Sequence, residues 1–269
     1  MLLRQLYAQK KGDSMYGEAG HIFLARLGKT TLRPGGIDAT AWLIEQANIK
    51  SDTKILEVAC NMGRTMIQLS KKFGCKITGV DLDKDALKKA EANIKKNHLE
   101  DKLTLIHGDA LALPFEDASF DIVINEAMLT MLIGDKKDKA LKEYFRVLKP
   151  GGLLLTHDVA LRTSDPAEQK KLRSALSKAI NVSVEPIDAA GWEALFCKNG
   201  FSVTQKWGDM TLMSPRGMIH DEGLAGVLKI ISNAMKKENK AMFKQMFRFF
   251  NGHKKDLAYI CSFGTKNKV

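Results

Sequence analysis

The sequence predicts an α/β fold, a mostly parallel sheet covered by helices, on three observations. From Lys54 to Leu161 short β-branched or apolar runs alternate with helical ones, which implies right-handed crossovers and parallel pairing. The chain has 269 residues, 45% of them hydrophobic, enough to bury the core of one large domain. Helix punctuation falls between the runs: Gly74 follows one helix, Asp83 is placed to cap another, and Lys149-Pro150-Gly151-Gly152 ends a third.

Taken in order, residues 1–36 lack a sustained period, carry glycines at 12, 17, 20, 28, 35 and 36, and end in RPGG. They read as an N-terminal arm or lid ahead of a domain spanning 37–269. The apolar stretch IDATAWLIEQANI is the first helix of that domain. KILEVAC is rich in branched apolar residues and reads as a strand, and TMIQLSKKF as the helix after it. The same alternation gives strand KITGVDLD and helix KDALKKAEANIKKNHL, then strands KLTLIHGD and FDIVINEAM, helix KKDKALKEYFRVL and strand GGLLLTHDVAL. Helical segments follow around Asp165 to Ile180 and Ile187 to Asn199, then strand FSVTQKWGDMTLM. The stretch GVLKIISNAMKKENKAMFKQMFRFF reads as helical, and DLAYICSFGTK as the last strand. No internal repeat or low-complexity tract occurs.

Bulk properties narrow the function classes. No apolar run approaches the roughly 20 residues of a membrane span, and the N-terminus lacks the order of a secretory signal, so a cytoplasmic protein is expected. Cys60, Cys75, Cys197 and Cys261 are widely spaced and form no C-x-x-C pair, which suggests buried, reduced thiols and no metal site or disulfide framework. The net charge of +11 is local, because residues 226–269 hold 10 basic against 2 acidic residues. Lysines between apolar helical positions form a solvated face, or a patch for an acidic partner or nucleic acid.

In open α/β sheets ligands lie beyond the carboxyl ends of the strands. At the first end, Glu57 to Gly63 must turn sharply, present backbone N–H groups and launch a helix whose positive end favours an anion. Asn61 tolerates positive φ and can stand in for glycine. At the second end Asp81 lies 18 residues after Gly63, near the spacing at which an acid accepts ribose hydroxyls; a helix-capping task is the bland reading. At the third, His107-Gly108-Asp109-Ala110 offers a close approach and an acceptor for an adenine amine, or merely a turn. Asn125-Glu126-Ala127 closes the fourth strand.

The ordered set LEVACNMG, VDLD, HGDALALPFEDASFDIVINEAML and LKPGGLLLTHD resembles the class I S-adenosylmethionine-dependent methyltransferases, particularly the small-molecule branch with a UbiE-like domain. The likeness covers roughly Ile37 to Val159 and implies a Rossmann-like, doubly wound seven-stranded sheet with an antiparallel C-terminal strand and helical additions. It implies S-adenosylmethionine as cofactor. Glu57 matches the opening acid, with Ala59, Cys60, Asn61 and Gly63 around the methionyl part. Asp81 matches the ribose acid, Leu82 the adenine-packing neighbour, Asp109 and Ala110 the adenine-edge pair, and Asn125 the strand end beside the sulfonium. Two departures stand out: Ala59 and Asn61 replace expected glycines, and a helical insertion at about 215–252 separates the last two strands.

Methyl transfer from a sulfonium needs alignment and exclusion of water, and a base only where the acceptor must lose a proton. The candidates are Glu126, His157, Asp158, Tyr16 and His21, each also readable as structural. Tyr7, Tyr16 and His21 suit a closing arm. Met242, Phe243, Met246, Phe247, Phe249 and Phe250 recur near helical spacing, as core, acceptor wall or subunit interface. The favoured expectation is a small-molecule methyltransferase, monomer or homodimer. The alternatives are an RNA or protein methyltransferase using the basic C-terminal region, and a non-catalytic cofactor-binding module. A dinucleotide oxidoreductase fits poorly, since the first turn lacks G-x-G-x-x-G.

Overall fold

The computed structural model describes residues 17–267, so Tyr7 and Tyr16 lie outside the described residues. The central element is a sheet ordered β3-β2-β1-β4-β5-β8-β7. Its strands are β1 (Lys54–Val58), β2 (Lys76–Asp81), β3 (Leu103–His107), β4 (Phe120–Glu126), β5 (Leu148–Leu161), β7 (Phe201–Asp209) and β8 (Leu257–Lys266). The two-residue β6 (Ile187–Asp188) pairs beside the end of β5 and brings the sheet to eight strands. Only β8 runs against its neighbours, antiparallel to both β5 and β7.

The central strands are apolar without interruption because both faces are covered. Ile55 and Leu56 are equally buried but join opposite layers. Leu56 packs with Val80, Tyr144, Trp192 and Phe196, and Ile55 with Leu43, Met66 and Ile94. Helices α3 (Arg64–Phe73) and α4 (Lys84–Lys96) follow β1 and β2, while α2 (Gly36–Gln46) precedes β1. On the other face lie α5 (Lys136–Val147) and α7 (Ala189–Lys198). Gly74 ends α3 in the left-handed conformation, and the Asp83 carboxylate accepts from the N–H groups of Asp85 and Ala86 at the start of α4.

Several boundaries differ from expectation: Ile187–Asp188 is a strand and not the start of a helix, β7 stops at Asp209 and not at Met213, and the arm contains the helix Gly20–Leu27. Lys149-Pro150-Gly151-Gly152 does not merely end a helix: β5 already begins at Leu148, and the four residues bulge out. The pairing therefore moves from Phe120–Leu148 to Ile122–Leu153. Pro150 has no N–H to give the ladder, and Gly151 takes φ 75° to make the bend. The basic Met- and Phe-rich stretch is divided at Lys236, extended at ψ 145°, into α8 (Pro215–Ala234), itself kinked at Gly223 (φ 68°, ψ 168°), and α9 (Lys237–Gly252).

Helix α1 (Gly20–Leu27), α8 and α9 form a third cluster around Phe23, Leu24, Leu27, Met218, Ile230 and Met246. The segment after α1 is strapped to α8 by one carboxylate. Glu222 accepts from the N–H groups of Thr30 and Thr31, the Thr30 hydroxyl and the fully buried Lys29 ammonium. Asp221 accepts from the Ile37 N–H at the start of α2. Lysines 229, 236, 237, 240 and 244 of this region are exposed, a solvated face. No helix among the described residues is long and apolar enough to cross a membrane.

Candidate active site

The carboxyl ends of β1, β2, β3 and β4 lie side by side, with Val58 paired to Val80 and Asn125, and Asp81 to His107. The turn after β1 uses the left-handed region three times, at Ala59 (φ 59°), Asn61 (φ 49°) and Gly63 (φ 72°). Alanine is the smallest side chain that can pay the steric penalty at Ala59, and asparagine tolerates it at 61. The strained loop is pinned to its neighbours. Cys60 N–H donates to the Val80 carbonyl at 3.1 Å, Asn61 N–H to Asp81 Oδ2 at 2.8 Å, and Asn125 Nδ2 to the Val58 carbonyl at 2.9 Å.

Asp81 is buried and faces the Asn61 bend, with Oδ1 accepting from Asp83 N–H at 2.8 Å. Each oxygen keeps a second lone pair. Burial raises its carboxyl above the usual range, against the pull of these backbone donors. Asp109 caps its own turn, Oδ1 accepting from Leu111 N–H at 2.9 Å, with Leu82, Asp109 and Ala110 half-buried along the same edge. Two buried oxygens here, Glu57 Oε2 and Asn125 Oδ1, have no partner among the described residues. A rim of left-handed backbone, an acid with spare lone pairs and two buried oxygens without partners fits a polar, hydrogen-bonding ligand.

Beneath the rim lies a buried charge cluster. Arg33, from the RPGG segment, places Nε 3.1 Å from Glu126 Oε2 and donates through its other nitrogens to the hydroxyls of Thr40 and Thr65. Both hydroxyls donate onward to Glu126. His157, fully buried, accepts from Gly35 N–H through Nε2 at 2.8 Å, which fixes its proton on Nδ1, 3.4 Å from Glu126 Oε1. Burial would raise the Glu126 carboxyl, but Arg33, His157 and Thr40 hold it down to about 2. Glu57 takes the opposite course: burial and then the Glu126 charge push it up to about 8. Burial lowers His157 against the attraction of Glu126. The geometry leaves Glu126 and His157 with every nearby lone pair or proton engaged.

Next to this cluster is a cavity of about 100 Å³. The sheet edge gives it Ala127, Thr130, Asp158 and Val159, and α6 (Pro166–Ile180) gives it Leu176 and Ile180. Gly20, His21 and Leu24 of α1 and Met246 and Phe250 of α9 close it from above. Ala127, left-handed at φ 56°, turns the chain from β4 into this wall. His21 lines the cavity yet is an exposed residue; desolvation of its imidazole, opposed by the Asp83 charge, lowers it below the usual histidine range.

The structure thus brings Glu57, Ala59, Cys60, Asn61, Gly63, Asp81 and Asn125 to one edge, and sets Glu126 and His157 into one buried network. Sequence reasoning missed Arg33, Thr40, Thr65 and Thr130. The RPGG run marked the place of Arg33 but gave no sign of its partner.

Residues 55–152 match a protein family described as a methyltransferase domain. An uncharacterized protein of Haemophilus influenzae is 57% identical over 248 residues, which cover 91% of this chain and 98% of that protein. A demethylmenaquinone methyltransferase of Staphylococcus aureus is 38% identical over 130 residues, 46% of this chain and 48% of that enzyme. The chain therefore matches about half the length of that named relative. Among solved structures, phosphoethanolamine N-methyltransferase 2 of Haemonchus contortus, in complex with S-adenosyl-L-methionine, is similar in fold. Its TM-score is 0.71 at 18% identity, covering 93% of this chain and 57% of that one.

Proposed function

We propose that the chain, whose residues 55–152 match a methyltransferase domain, is a class I S-adenosylmethionine-dependent methyltransferase that transfers a methyl group to a small, largely apolar organic acceptor held in the cavity. The observation that carries this reading is position: the cavity wall begins at Ala127, two residues past the orphaned amide oxygen of Asn125 on the same strand end. S-adenosylmethionine, when bound, supplies an electrophilic methyl group whose departure leaves a neutral thioether.

In this reading the turn from Ala59 to Gly63 receives the amino-acid end of the cofactor, with Glu57 behind it. Asp81 accepts the ribose hydroxyls on its spare lone pairs, and Leu82, Asp109 and Ala110 border the adenine. Asn125 Oδ1 faces the junction of the two sites. The chain's task is then to align the acceptor and keep water out, which the apolar lining and the overlying helices α1 and α9 favour. We assign Glu126 and His157, expected as catalytic candidates, to positioning. A carboxylate held by Arg33 and two threonine hydroxyls is a poor base, and an imidazole whose Nε2 accepts a backbone N–H has no free lone pair. Tyr16 lies outside the described residues. The described part of the arm, through α1, and the 215–252 helices together act as the lid of the acceptor site, in a cytoplasmic enzyme.

The test is release of S-adenosylhomocysteine by the full chain supplied with S-adenosylmethionine and a panel of small apolar amines and alcohols. Turnover with at least one acceptor is expected. Cofactor binding with no turnover on any member would favour the non-catalytic binding module instead. Release only in the presence of RNA or protein would favour the macromolecular acceptor.

A further inference from the structure

Asp158 lies near the end of β5, buried at 1% exposure, and lines the cavity. Its Oδ1 accepts from both the N–H and the hydroxyl of Thr130, each at 2.8 Å. Its Oδ2 has no partner among the described residues. A buried carboxylate oxygen left unpaired destabilises the site until a donor meets it. Around it the lining is apolar: Leu24, Leu32, Val184, Leu212, Met246 and Phe250.

We propose that Asp158 determines the specificity of this cavity, its Oδ2 accepting a hydrogen bond from the one N–H or O–H group of an otherwise apolar acceptor. This rests on reading the cavity as the acceptor site. Thr130 spends both its donors on Oδ1 and so fixes the carboxylate with the second oxygen left for a ligand. One polar contact in an apolar wall selects strongly, because a molecule of the same shape without the donor leaves the oxygen unpaired. The surroundings agree. Burial, opposed by the Thr130 donors and the Lys137 charge and reinforced by Glu126, pushes the Asp158 carboxyl up to about 7. A donor in the cavity favours its ionised form, an ammonium more than a hydroxyl.

Three probes of one skeleton test this on the full chain: phenethylamine, 2-phenylethanol and ethylbenzene, titrated by ligand-observed NMR. At least one donor-bearing probe should bind about tenfold more tightly than ethylbenzene. Asp158→Asn, which keeps an oxygen for Thr130, should erase that preference while leaving ethylbenzene unchanged. The amine and alcohol arms separate a charged from a neutral donor. Equal binding of all three, binding of none, or a preference that survives in a folded Asp158→Asn overturns the proposal, and the wild-type ranking decides if the variant does not fold. S-adenosylmethionine titration runs alongside. Lost cofactor binding with the ranking intact removes the methyl-transfer reading alone, and the reverse pattern removes the Asp158 assignment alone.

Discussion

Asn61 and Ala59 show what a single residue discloses. Asparagine's tolerance of positive φ made the bend at 61 legible, and the structure puts it at 49°. Nothing in an alanine announces φ 59°, which only the pinning of its neighbours to Val80 and Asp81 imposes. Asp81 was readable from spacing, whereas the Arg33–Glu126 pair joins residues distant in sequence and was not. Asp81→Ala should weaken S-adenosylmethionine binding by about 1 to 3 kcal/mol, the scale of hydrogen bonds to a charged group, in a calorimetric titration. Unchanged affinity in a folded variant would contradict the ribose assignment. Glu57 makes a pH prediction. Its folded carboxyl keeps a proton up to about 8, while the unfolded chain releases it in the ordinary carboxylate range. Stability is therefore lost as pH rises through that window, at up to about 1.4 kcal/mol per pH unit, and the full penalty applies above it. Thermal unfolding of Glu57→Gln against wild type should show an advantage that grows from pH 5 to pH 9. A constant difference would remove Glu57 as the cause.

At the scale of elements, the central strands were legible because burial on both faces demands unbroken apolar runs, as in Ile122-Val123-Ile124. The break between α8 and α9 was not. The sequence Met235-Lys236-Lys237 contains no glycine or proline to announce the extended Lys236, across which both helices join the cluster around α1. Gly35 joins three elements. It precedes α2, donates to His157 on β5 and lies against Tyr259 on β8. A Cβ there would meet the Tyr259 ring at 2.5 Å and Ala39 at 2.7 Å. Gly35→Ala should cost about 1 to 3 kcal/mol of stability through overpacking, read from denaturant unfolding. An unchanged midpoint would mean the ring has room to move.

For the whole molecule, the sheet and the order of its cofactor-like strand ends could be read from local patterns, but the cavity could not. Its lining comes from α1, the end of β4, β5, α6, the segment after β7 and α9, brought together only by folding. The same holds for the cap, which depends on Glu222 of α8 gripping Lys29, Thr30 and Thr31. Lysines 229, 237, 240 and 244, much of the basic surplus of the C-terminal region, lie exposed on helices α8 and α9. Isothermal titration of the folded full chain with S-adenosylmethionine tests most directly whether the strand ends form one cofactor site. Saturable binding at a single site is expected, and no heat at high micromolar ligand would contradict it.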